Sequence, residues 1–162
     1  MPLYMKIGDL EGPISEAGSL SDVFPVESYS HGLNQSYGPE GAFAKTTGSA
    51  NVQLFTFSCK VNGSTPLLLQ TLCQNDHYDE VILYDMVAME GGDLHEFTKV
   101  TLGKVSIADV QYAGYSEGEA QQTVSLRFAT IIWDIDPLDK ETGTALGMKS
   151  FEWSAAQSGS RA

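Results

Sequence analysis

Asp76, His77, Asp79 and Glu80 lie within five positions of one another and form the densest set of side chains able to ligate a metal or move a proton. A metal site needs ligands projected to one point. Here the carboxylates and the imidazole follow directly on a helical pattern, where Asn, Asp and His commonly stop a helix and turn the chain. The turn reading is the stronger. His95-Glu96 falls at the start of a strand pattern and His31 inside an alternating run. Neither sits in a recognisable catalytic motif, and the chain has no HExxH, P-loop or CxxC. Cys59 has no base beside it in sequence, which leaves open a dyad assembled in space. The expectation is a protein with no catalytic residues, no metal site and no cofactor.

The elements that would carry these residues are mostly strands. One helix stands out, in "VNGSTPLLLQTLCQNDHYDEVIL", residues 61–83. Asn62-Gly63 is a turn dipeptide, Ser64 or Thr65 can cap an N-terminus, and Pro66 then falls near the first helical position, where its missing N–H does no harm. Leu68, Leu69 and Leu72 follow helical spacing, Leu67 and Cys73 widen that apolar face, and Gln74-Asn75-Asp76 stops it. Elsewhere the period is two. Strands are predicted at "LYMKIGDL", "NVQLFTFSCKV" and "DEVILYDMVAM", with a hairpin turn at Gly91-Gly92. "EFTKVTLGKVSIADVQYAGY" reads as two strands meeting near Gly103, and "QQTVSLRFATIIWDIDP" as one long strand ended by Pro137.

In that long strand Val124, Leu126 and Phe128 share one parity, while Ile131, Trp133 and Ile135 share the other. Either a bulge near Ala129 and Thr130 re-aims the strand, or the second face is covered by something else, such as a neighbouring subunit. Residues 34–50 lack any period and are rich in Gly, Ser and Thr, as functional or disordered loops are. A last short strand is expected around Gly147 to Trp153.

The fold class expected is mainly β: a small antiparallel β-barrel of two packed sheets with one flanking α-helix. With 162 residues, 42% of them hydrophobic, the chain can build one core, so residues 1–157 are expected to form a single domain and 158–162 a flexible tail. No apolar run reaches the roughly 20 residues a membrane helix needs, and the N-terminal stretch lacks the basic and apolar regions of a signal peptide. A net charge of −12, with no cluster of Lys or Arg, argues against nucleic acid as a partner. Cys59 and Cys73, the only cysteines, read as two buried thiols and not as a disulfide framework.

Specific words in this order resemble the haemolysin-coregulated protein (Hcp) family, the tube subunits of bacterial type VI secretion systems. They are "YMKIGDLEG", "VESYSHGLNQS", "VQLFTFSCKVNGSTPLLLQ", "VTLGKVSIADVQYAG" and "QQTVSLRFATIIWDI", together spanning residues 3–136. His31 departs from the aromatic residue often found before the glycine of the second strand; the 37–48 loop and the chain end differ most. The resemblance implies a homo-hexameric ring, stacked rings forming a tube, and partnership with effectors and with the spike and sheath of the apparatus. It also implies a cytoplasmic protein that is later secreted without a signal peptide.

On that reading Ser28 and Ser30 face the lumen and contact effectors, Gly38, Gly41, Phe43 and Gly48 belong to the ring-stacking loop, and Ile131 and Trp133 meet a neighbouring subunit. The alternatives are a monomeric small-ligand-binding β-barrel, which would need a large apolar cavity in place of a filled core, and an enzyme using His77 or His95 with nearby carboxylates.

Overall fold

The computed structural model describes residues 2–12, 14–17, 20–35, 50–89, 92, 94–139 and 141–154. Among these residues twelve strands and one helix follow in chain order. They are β1 (Leu3–Ile7), β2 (Ile14–Ala17), β3 (Leu20–Val26), β4 (Ser28–Ser30), β5 (Leu33–Gln35), β6 (Ala50–Val52), β7 (Phe55–Lys60), α1 (Thr65–Cys73), β8 (His77–Ala88), β9 (Leu94–Ala113), β10 (Gln121–Arg127), β11 (Thr130–Ile135) and β12 (Lys149–Ser154). The fold is mainly β with one helix, as the alternating patterns require.

Among the described residues ten strands form one antiparallel sheet, in the order β2-β3-β1-β8-β9-β10-β7-β4, with β11 branching from β9 and β12 pairing with β11. A separate two-stranded ribbon joins β5 to β6. The expected barrel is corrected in one respect, because the hydrogen-bonded ladder does not close. Instead the chain runs from β3, paired with β1, into β4, paired with β7. The bend between them is at Glu27, whose N–H donates to the Ser58 carbonyl at 2.8 Å. The two ends of the sheet thus meet at a corner and enclose a core without an uninterrupted ladder.

That core contains Met5, Ile7, Phe24, Phe55, Phe57, Val81, Leu83, Leu102, Val124 and Leu126, all buried. On the opposite face of the sheet the β2–β3 hairpin covers a second cluster of Leu20, Val23, Tyr84 and Met86. The interior is therefore filled by side chains, and the cavity a ligand-binding barrel requires is replaced by packed aromatic and aliphatic groups.

α1 starts where the dipeptide signal places it, but its cap works differently. The Ser64 hydroxyl donates to the Glu11 carbonyl (2.9 Å) and ties the helix start to the β1–β2 connection. The Asn62 side chain accepts from Ser64 N–H (2.8 Å) and forms the turn. Asn75, at φ 55°, ends the helix in the left-handed conformation that Asn tolerates, with Asp76 N–H donating to the Thr71 carbonyl. Leu68 is buried and Leu72 packs beside it, whereas Leu67 and Cys73 are exposed. The buried face of α1 is narrower than the pattern suggested, with only Thr65 and Leu68 buried where the helix packs toward β9.

The two strands expected around Gly103 are a single strand, β9, that changes partner there: Thr98 to Gly103 pair with β11, and Ser106 to Ala113 with β10. Lys104 at φ 52° marks the change. Conversely, the single long strand expected from residue 121 onward is two, β10 and β11, separated at Phe128-Ala129, where Ala129 N–H donates to the Gly103 carbonyl (2.9 Å). Gly103 pairs with Thr130, and a side chain there would collide with the Thr130 hydroxyl unless Thr130 shifted.

Candidate functional site

The groups with chemical potential do not converge. Asp76 and His77 are exposed at the α1–β8 turn, where the Asp76 carboxylate accepts the His77 backbone N–H at 2.9 Å, the geometry of a turn. His95 lies far along the sheet, with Nε2 2.9 Å from the Asp136 carbonyl and 3.6 Å from its carboxylate. Cys59 is buried, and burial pushes its thiol up; its neighbour is Gln122, whose amide donates to Sγ at 3.2 Å. Glutamine cannot take a proton from it, so no dyad forms there. No cluster of three or more His, Cys, Asp or Glu able to hold a metal occurs among the described residues.

One motif escaped the sequence reading: Gly114-Tyr115-Ser116-Glu117-Gly118 has GxSxG spacing. It lies in the exposed loop between β9 and β10, a strand-to-strand connection and not the strand-to-helix elbow that activates such a serine.

One surface concentrates small hydroxyl side chains, bordered by Lys60, Asp109 and Arg127. Ser28 and Ser30 are exposed on β4, opposite Ser58 and Thr56 of β7, which stand opposite Thr123 and Ser125 of β10. Two parallel rows of hydroxyls cross three strands, Ser28-Ser58-Thr123 and Ser30-Thr56-Ser125. Ser28 and Ser58 share a hydrogen bond of 2.6 Å, and Thr56 and Ser125 one of 3.1 Å. Sequence reasoning found only the β4 end. The rest needs the strand register, which period two cannot supply.

On the reverse of β4, Tyr29 stacks on Phe55 at 5.8 Å, and burial raises its pKa. His31 leans on Phe55 (5.8 Å) and meets the edge of Phe128 (5.4 Å), so an imidazole fills the aromatic place. Burial lowers its pKa, partly opposed by a hydrogen bond to the Gln53 backbone.

Gly38, Gly41, Phe43 and Gly48 lie outside the described residues, as does the 158–162 tail. The period-free segment starts later than expected: Leu33–Gln35 and Ala50–Val52 pair as β5 and β6, holding its two ends together.

Ile131 and Trp133 part company. Ile131 is 1% exposed and packs in this chain's own core, so its assignment to a subunit interface is corrected: the break at Ala129 re-aims the strand inward. Trp133, one pair further along the same face, is 37% exposed.

A family model described as "Type VI secretion system effector, Hcp" matches residues 4–135. The chain belongs to the Hcp family. Its relatives include Protein hcp1 of Pseudomonas aeruginosa, 27% identical over 158 residues, covering 96% of this chain and 95% of that one. Solved structures that share the fold include the following two. A type six secretion system protein has a TM-score of 0.85 at 19% identity, covering 97% of both chains. Hcp1 from Salmonella typhimurium has a TM-score of 0.75 at 19% identity, covering 96% of this chain and 95% of that one. Membership makes this Hcp chain a type VI secretion tube protein, of a secreted, structural family. Among the described residues no helix is long and apolar enough to cross a membrane.

Proposed function

We propose that this Hcp chain assembles into hexameric rings that stack into a tube, and that the β4–β7–β10 hydroxyl face lines the lumen and contacts effectors. The observation that carries this reading is the pair of hydroxyl rows. Small, neutral, hydrogen-bonding side chains suit a wide wetted channel wall, where charges would trap cargo and apolar groups would dewet. Ser28 and Ser30 are the proposed effector contacts. The segment with Gly38, Gly41, Phe43 and Gly48, which lies between β5 and β6 in the sequence, is proposed to contact the next ring. The role is transport without catalysis: the chain waits in the cytoplasm, meets the spike and sheath on assembly, and leaves the cell with its cargo.

The decisive experiment is size-exclusion chromatography with light scattering on the intact chain, followed by effector pull-down with Ser30→Glu. A ring mass is expected for both proteins, because the new side chain points into water, with weaker effector retention by Ser30→Glu. A single-chain mass for the unaltered protein defeats the ring. Unchanged retention across several effectors defeats the lumen assignment.

A further inference from the structure

We propose that the apolar face of the β11–β12 ribbon of one copy seats in the groove beside α1 of the next copy, and that this head-to-tail contact closes the ring. The inference rests on the ring reading above and names the two surfaces that would meet.

The first surface is the part of a sheet face that outruns its core. Cross-strand pairs on this face are Ile131 with Trp153, Trp133 with Phe151, and Ile135 with Lys149. The first pair is held by the chain's own core. The second is not: Trp133 is 37% and Phe151 43% exposed, and Leu146 and Met148 just before β12 are exposed as well. An apolar patch of this kind on a secreted chain is an interaction surface. Beyond it, β12 has no further strand at its side among the described residues.

The second surface is a groove of about 990 Å³ between α1 and the outer face of β1 and β8. Its apolar wall comes from Ile82 and Leu67, the latter 47% exposed. Ile82 alternates with Val81 and Leu83, which point into the core, so the groove opens on the opposite face of the sheet from the ribbon's apolar side. One copy can therefore offer its ribbon to one neighbour and its groove to another, as a heterologous ring contact demands.

Charge disfavours pairing of groove with groove and favours the ribbon as the groove's occupant. On a chain of net charge −12, any contact between copies must avoid apposing carboxylates. The groove is acidic, lined by Asp9, Asp76, Asp79 and Glu80 against Lys6, with His77 beside them. Groove on groove would bring these together. The ribbon face carries Lys149 beside Trp133, Ile135 and Phe151. Asp134 and Glu152 alternate with those residues and lie on the ribbon's other side, where Ser150 hydrogen-bonds Asp134. Ribbon in groove puts Lys149 among carboxylates and the apolar residues against Leu67 and Ile82.

The test uses Trp133→Asp and Leu67→Asp, each at an exposed position, with native mass by light scattering and folding by circular dichroism. Each variant alone is expected to run as a single folded chain. Their equimolar mixture is expected to stop at a dimer, because the one intact pairing left is the Leu67→Asp ribbon with the Trp133→Asp groove. If Trp133→Asp fails to fold, Phe151→Asp replaces it with the same expectation. Rings formed by either folded variant, or a mixture that stays as single chains while the unaltered protein forms rings, would overturn the pairing. An unaltered protein that runs as a single chain at every concentration would overturn the ring reading itself.

Discussion

From Thr98 to Gly103 β9 pairs with β11, and from Ser106 to Ala113 it pairs with β10, and the two surfaces that result differ in what they leave outside the core. Around β10 the inward residues Val124 and Leu126 are buried, and the outward ones are Thr123 and Ser125 of the hydroxyl rows, with Gln121 and Arg127 at either end. Around β11 the inward face continues past the core, so that Ile131 is sealed while Trp133 on the same face meets solvent. An outward hydroxyl face is finished by water, whereas an inward apolar face left open is finished only by protein. The pivot at Gly103 and Ala129 is what lets one strand serve both.

The sharpest way to break this comparison is to truncate neighbouring residues of β11. Ile131→Ala removes buried methyl groups from the core and should lower the unfolding free energy of the separated chain by about 2–4 kcal/mol. Trp133→Ala should change the same quantity by less than about 1 kcal/mol, while weakening assembly. Urea unfolding of a single-chain variant gives both values. Equal losses at the two positions would mean that the core extends to Trp133 and that the ribbon face is not open.

A smaller effect is expected inside the β10 half. Gln122 is buried, and while its amide donates to Cys59, its Oε1 has no hydrogen-bond partner. A buried carbonyl without a partner is destabilising. Gln122→Met, similar in length and without that oxygen, should raise stability by about 1 kcal/mol. A loss of stability instead would mean that Oε1 is satisfied by water, and that this half of the molecule is less tightly sealed than its apolar neighbours imply.

Much of this is legible in the sequence. Asn62-Gly63-Ser64-Thr65-Pro66 places the helix because each residue has a local mechanism, and the period-two runs find the strands because side chains alternate across a sheet. The parity change near Ala129 was also visible. What it meant was not, since both parities are apolar and only the partner strands decide which one faces the core. Ile131 and Trp133 looked equivalent for that reason. Gly103 misled in the complementary way: β9 runs on through it while its buried parity changes from Val100 and Leu102 to Val105 and Ile107, and such a shift at a glycine looks like a strand that ends. The hydroxyl rows needed register across β4, β7 and β10, information that no single segment contains.

The least perturbing prediction concerns the joint between the two halves, where His31 sits between Phe55 of β7 and Phe128 of the elbow leading into β11. Its Nε2 is buried without a partner, and burial holds its pKa below the ordinary histidine value. Protonation would place a charge there with nothing to accept the new N–H. The folded chain resists it, while the unfolded chain takes up a proton near pH ~6.5. Because the unfolded state then binds more protons, the unfolding free energy falls as pH drops below about 6.5, and this contribution levels off once the lowered folded pKa is passed. His31→Phe keeps a ring between Phe55 and Phe128 and removes the titration. His77 and His95 are present in both proteins and largely cancel in the comparison. The stability difference between His31→Phe and the unaltered chain should therefore grow in favour of the variant as pH falls from about 7 to about 5. Urea unfolding across that range measures it. Parallel curves would mean that the imidazole finds an acceptor or solvent when protonated, and that the joint between the two halves is open to water.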